Sequence, residues 1–421
     1  MSALGPQAGN GDKIVALDRR DQRVRQDDSL AGTVQSFIER IKAGDLGSLP
    51  VVVGLIAICT VFTIINPLFL SPNNLVNLLF DCSTVGVISL GVVCMLMVGE
   101  IDLSVGSVSG LASATLGVLW VNSGLPVPLA IIAAIGSGAV TGFIYSELFS
   151  RFGMPSFVAT LAGLLAVLGM QLYILGPTGS INLPYGSDLV NFGQLLVIPK
   201  PLAYVLVALP GVVSFVARLR MARRRRAANL SAASLSAIAL RAILLTVGLE
   251  IAVAVLNQAR GVPWMFAVFV LLVLIMHYAL SRTKWGRSMK AVGGNREAAR
   301  RSGINVRRIY TSAFVLCGTL AATGGVMAAC RLASASQQAG TGDVNLNAIA
   351  AAVIGGTSLF GGRGSAYSAL LGIIVIQSIA SGLTLLDLSS SLRYMITGAV
   401  LAIAVIVDSL ARRSRQSHGR A

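Results

Sequence analysis

The run VGVISLGVVCMLMV (85–98) passes directly into GEIDLSVGS (99–107), and the chain then stays largely apolar as far as Asn122. A straight helix needs roughly 20 apolar residues to cross the hydrocarbon of a bilayer. Val85–Val98 falls short of that length, whereas the segment from Val105 to Asn122 approaches it. Between them stand two carboxylates, Glu100 and Asp102. A charge at membrane depth is costly and usually functional. The glycines and serines nearby permit a helix to break where protein or water can satisfy the freed backbone. The spacing therefore predicts an interrupted membrane helix, with Glu100, Asp102, Ser104 and Gly106 as a candidate translocation or gating region. An ordinary interfacial turn with solvated acids is the competing reading.

Outward from this stretch, the 421 residues are 55% hydrophobic with a further 45 glycines, and only 12% are charged. Mean hydropathy is +0.78. No soluble core could bury so much apolar surface behind so few charges. The composition excludes a string of soluble domains and predicts an all-α polytopic membrane helical bundle. Long apolar candidates lie at about 50–70, 105–122, 126–148, 155–176, 201–217, 237–256, 262–281, 309–330, 366–386 and 393–410. Two shorter runs, Val85–Val98 and Leu346–Ile354, raise the number of crossings to twelve if both span, or leave ten if both re-enter. The second leads into GGTSLFGGRGS (355–365), much as the first leads into the Glu100 stretch. Gly355, Gly356, Thr357, Ser358, Gly361 and Gly362 are accordingly the candidate second interrupted region, because paired interruptions in corresponding halves mark internally repeated transporters. A Walker-type phosphate loop would need Gly-x-x-x-x-Gly-Lys-Ser/Thr, and the chain has none.

The net charge of +16 is a topological signal rather than a nucleic-acid footprint. With twelve crossings and both termini cytoplasmic, every basic residue except Lys200, Arg260, Arg331 and Arg393 falls on the cytoplasmic side, as the positive-inside rule requires. The boundaries that follow are a disordered cytoplasmic tail at 1–49, a transmembrane domain at 50–410 and a basic cytoplasmic tail at 411–421. Residues 282–308 form the longest internal cytoplasmic loop. Within it Asn295 is a good N-cap, Glu297, Ala298 and Ala299 supply an acidic first turn and strong helix formers, and Gly303 can close the helix in the left-handed conformation. Such a helix suits docking onto a cytoplasmic partner; a plain connector between spans is the alternative. Cys59, Cys82, Cys94, Cys317 and Cys330 are scattered without metal-ligand spacing. No catalytic Ser/His/Asp arrangement and no acid–histidine–lysine series is present, so no cofactor, metal or catalytic residue is expected. Glu147 and Glu250 have no evident partner.

The stretches Glu100–Gly106, PSFVATLAG (155–163), Gly293 to Val306 and Ile354–Ser365 together resemble the permease subunits of bacterial ribose/xylose-type ABC sugar importers. The likeness covers about residues 50–410. It is greatest to the xylose-type members, which carry an extra basic loop and hydrophobic stretch, here Arg218–Arg226 and the helix leading to Arg260. The resemblance implies import of a monosaccharide, D-xylose or another pentose, by alternating access across the inner membrane. It also implies a second copy of the permease, a cytoplasmic ABC ATPase and a periplasmic sugar-binding protein, with residues 282–308 as the loop that couples to the ATPase. The partners expected besides these are the sugar and the lipid bilayer, with no nucleic acid. An ion-coupled sugar carrier working without an ATPase is the rival transporter class, and an intramembrane enzyme or receptor is a more distant one.

Overall fold

The computed structural model describes residues 49–389, 391, 392, 394–399, 402 and 406. The expected tails, residue 49 apart, and most of the expected 393–410 span lie outside the described residues. The fold is helical, with two three-residue strands. In order it comprises α1 (Leu49–Ile65), α2 (Pro72–Met97), α3 (Val105–Gly117, prolonged by a wide turn to Asn122), α4 (Val127–Arg151), α5 (Ser156–Leu175), β1 (Ser180–Asn182), α6 (Asp188–Gln194), α7 (Lys200–Ala227), α8 (Leu235–Leu256), α9 (Trp264–Arg282), α10 (Lys284–Gly294), α11 (Arg296–Arg301), α12 (Val306–Leu332), β2 (Ser334–Ser336), α13 (Val344–Ile354) and α14 (Ala366–Leu385). Among the described residues nine helices are long and apolar enough to cross a membrane, and α1 and α13 are shorter apolar helices.

The short run Val85–Val98 proves to be the second half of a full-length span, α2, so it does not re-enter. Its first half escapes an apolar count because it carries Asn73, Asn74, Asn77 and Asp81. Those groups are tolerated by pairing inside the protein: the Ser381 hydroxyl donates to Asn74 Oδ1 at 3.0 Å, and Arg331 donates to Asp81 at 2.9 Å. Leu346–Ile354, by contrast, belongs to the eleven-residue α13. At 1.5 Å per residue α13 is about 16 Å long, half the ~30 Å of hydrocarbon. The expected loop Arg218–Arg226 is also corrected, since it continues α7 as helix. Arginine, alanine, leucine and methionine all favour helix, so nothing in that stretch stops one.

Residues Pro199–Val255, carrying α7 and nearly all of α8, form a compact unit of their own. In it Gly211 of α7 lies against the Thr246 side chain of α8, and Ala222, Ala232 and Ile238 make a small apolar cluster. In the remaining unit α12 is central and packs against α2, α3 and α4, while α2, α13 and α14 pack together. Lipid-like surroundings give helices little hydrophobic reason to associate, so close backbone contact must do it. Gly138 of α4 and Gly318 of α12 show this directly, because a Cβ on either would collide with the other's carbonyl. Helices α2 and α12 are mostly buried, whereas α4, α5 and α9 expose Leu129, Ile132, Phe143, Leu165, Leu271 and Ile275. That apolar girdle is the surface a bilayer covers.

Candidate functional site

The three stretches singled out in the sequence meet at one end of the larger unit. The break after α2 turns at Gly99, whose φ of +83° excludes ordinary side chains. The Gly362 amide donates to the Met97 carbonyl at 3.0 Å, which ties the loop before α14 to the end of α2. Gly293, at the end of α10, sits between these two segments, and a Cβ there would run into the Met97 carbonyl and the Gly362 nitrogen. Three chain segments thus cross here, and Gly293 and Gly361 have no room for a methyl group. The adjoining ends of α4 and α12 are fastened by Ser146 to Thr311 at 2.7 Å and by Arg307 to Glu147 at 3.0 Å. Glu147, unpaired on sequence grounds, therefore holds Arg307 as well as Arg151.

From Gly99 the chain climbs into the bundle before α3 begins. Asp102 and Ser104 are buried. Asp102 Oδ1 accepts from the Ser104 amide at 2.8 Å and the Ser104 hydroxyl at 2.7 Å, and the Leu103 amide donates to Thr160 Oγ1 at 3.2 Å. Asp102 therefore places a carboxylate at the positive end of α3, where it is favoured. Burial raises its pKa, opposed by those hydrogen bonds. Burial also raises that of Glu100, opposed by a hydrogen bond from Ser156 and by the Arg296 charge. Arg296 in turn lies over the rings of Phe149 and Tyr310. Of the four candidate residues here, Asp102 and Ser104 build the helix start, Glu100 is half-buried toward Arg296, and Gly106 donates its amide to Asn345 Oδ1.

The 282–308 loop contains the capped helix expected of it. In α11 the Ala298 amide donates to Asn295 Oδ1 at 2.9 Å, Glu297 pairs with Arg300 at 2.9 Å, and Gly303 has φ +83°. Ala299 is buried. A second, unanticipated helix, α10, precedes it, with Met289 and Val292 buried and Trp285 Nε1 donating to Ser312 at 2.8 Å.

The second interruption is deeper than the glycine-rich stretch alone suggests. Gly355, Gly356, Thr357, Ser358, Gly361 and Gly362 form the loop after α13, in which Thr357 is buried and Ser358 accepts from the Phe360 amide at 3.2 Å. The other end of α13 starts beside α3. Gly340 packs on Gly106, and Gln171 Nε2 donates to the Ala339 carbonyl at 3.0 Å. Two short helices therefore start side by side within the bundle, with an aspartate before each: Asp102 for α3 and Asp343 for α13. Asp343, Asn345 and Asn347 were missed as site residues. Their signal was available in the polar run from Ser334 to Asn347, lying between two apolar segments. At the far end of the unit, Arg260 and Arg331 both lie over Phe80, and Arg260 donates to Asn77 Oδ1 at 2.7 Å.

Comparison with known proteins gives this arrangement a family. Residues 74–405 match the family described as branched-chain amino acid transport system / permease component. The chain is 35% identical over 375 residues to the xylose transport system permease protein XylH of Escherichia coli K12, covering 89% of this chain and 94% of that protein. It is 34% identical to XylH of Haemophilus influenzae, over 81% of this chain and 90% of that one. The ribose import permease protein RbsC of Bacillus subtilis is 32% identical over 84% of this chain and 90% of its own. No solved structure matches. With interrupted spans meeting at a helical loop, and a match that runs through all of them, the chain belongs to the permease-component family of ABC transport systems.

Proposed function

We propose that this multi-pass inner-membrane protein is the permease subunit of an importer for D-xylose or another pentose, working as a homodimer with an ABC ATPase and a periplasmic sugar-binding protein. Energy enters from the partner ATPase through the cytoplasmic loop, and the membrane helices convert it into alternating access. The observation that carries this reading is the junction of Gly99, Gly293 and Gly361–Gly362, because movement of α10 and α11 must be felt at both helix interruptions. In it α11, with Asn295, Glu297, Ala298, Ala299 and Gly303, is the element that meets the ATPase. The stretch from Glu100 to Gly106 and the stretch from Gly355 to Gly362 are the hinges on which the path opens and closes. Rigid, glycine-packed contacts transmit displacement because packed interfaces switch rather than deform.

Uptake of labelled D-xylose into proteoliposomes tests the proposal. Import is expected with the ATPase, ATP and binding protein all present, and none with the permease alone under a proton or sodium gradient. Ion-driven uptake by the permease alone would instead establish the secondary-carrier reading.

A further inference from the structure

We infer that the first turn of α13 and the adjacent wall of α14 form a contact site for the transported pentose inside the membrane, a step that rests on the permease reading above. A cavity of about 200 Å³ opens there, lined among others by Asp343, Asn347, Ile376, Leu383, Tyr394 and Thr397. At ~30 Å³ for each water it has the volume of roughly six or seven waters. It lies at the start of a helix only about half as long as the hydrocarbon is thick, and discontinuous helices of this kind are where transporters put their substrates.

The chemistry of the lining selects the ligand. Asn347 is 9% exposed, its Nδ2 donates to Asp343 Oδ2 at 3.0 Å, and its Oδ1 has no hydrogen-bond partner among the described residues. A buried acceptor without a donor costs free energy until something supplies one. The Asp343 carboxylate keeps further lone pairs to accept with, while the first amides of α13 receive no side-chain cap. Tyr394 and Thr397 add hydroxyls that both give and accept. Ile376 and Leu383 present apolar surface suited to the C–H face of a ring. The carboxylate disfavours a phosphate or an acid sugar, and acceptors so dominate that an apolar guest would leave them unpaired. A small neutral polyol satisfies both sets of groups, and Asp343 and Asn347 would each accept from one of its hydroxyls.

The test is uptake by the full complex in proteoliposomes, comparing D-xylose with deoxy analogues that each lack one hydroxyl. Removing one neutral hydrogen bond is expected to raise half-saturation about three- to tenfold. The wild-type complex should reject at least one deoxy analogue, and Asn347→Leu should lose that discrimination while still reaching the membrane. Thr397→Val, a milder change at the same cavity, decides the matter if Asn347→Leu is not inserted. If the wild type imports xylose and these variants keep its half-saturation and its discrimination, the site is overturned while the permease reading stands. If the wild-type complex hydrolyses ATP but imports no pentose, the permease reading fails and the site falls with it.

Discussion

Asp102 is the residue where position and charge are hardest to separate. Its carboxylate satisfies two donors of Ser104 and faces the start of α3, yet its burial opposes ionisation. A folded-state pKa above the unfolded value means that the native protein holds more protons between the two values. Stability then declines as pH rises from the ordinary carboxylate value to the raised one, and is level beyond it. Thermal unfolding in detergent should show that decline in the wild type and less of it in Asp102→Asn, which keeps an acceptor and loses the titration. A matching pH profile in that variant would assign the titration to other groups. Asp102→Leu should be the more damaging change, because it strands two buried donors at ~1–3 kcal/mol each.

At the scale of an element, α11 gives the sharpest expectation. It has six residues, and the Ala299 amide donates to the Asn295 carbonyl at 3.0 Å. Proline at 299 removes that donor and crowds the preceding turn, a cost of ~3 kcal/mol in a helix interior. So short a helix cannot absorb that loss, whereas the spans bury far more surface and should hold. Ala299→Pro is therefore expected to reach the membrane in normal amount and to bind the ATPase weakly or to hydrolyse ATP without uptake. Wild-type affinity and uptake together would make the loop a tether. This helix was legible because capping is local chemistry: Asn295, Glu297 and Gly303 mark its ends within nine residues. Two features were illegible for the opposite reason. The polar half of α2 reads as a connection until Arg331, the penultimate residue of α12 and far off in sequence, is seen paired with Asp81. The start of α13 depends on Gly106 and Gln171, which lie in two other helices.

The whole molecule is oriented by its charges, and orientation decides every functional statement above. Within the larger unit the junction end carries Arg151, the basic residues from Arg282 to Arg308, and Arg363, while Arg260 and Arg331 lie at the other end. By the positive-inside rule the junction is expected in the cytoplasm, where an ATPase can reach α11. Ser302 is exposed beside that helix. Tyr185, 89% exposed, follows β1, whose partner β2 succeeds the far end of α12. A span that starts near Ser302 thus delivers the chain to the level of Tyr185. Native thiols interfere little, since Cys82, Cys94, Cys317 and Cys330 are buried and Cys59 is half-buried. In intact spheroplasts a membrane-impermeant maleimide is expected to label Tyr185→Cys and not Ser302→Cys, and inverted vesicles should reverse the pattern. Labelling of Ser302→Cys from outside would put α11 out of reach of ATP, and with it would go the proposed route by which hydrolysis drives this protein.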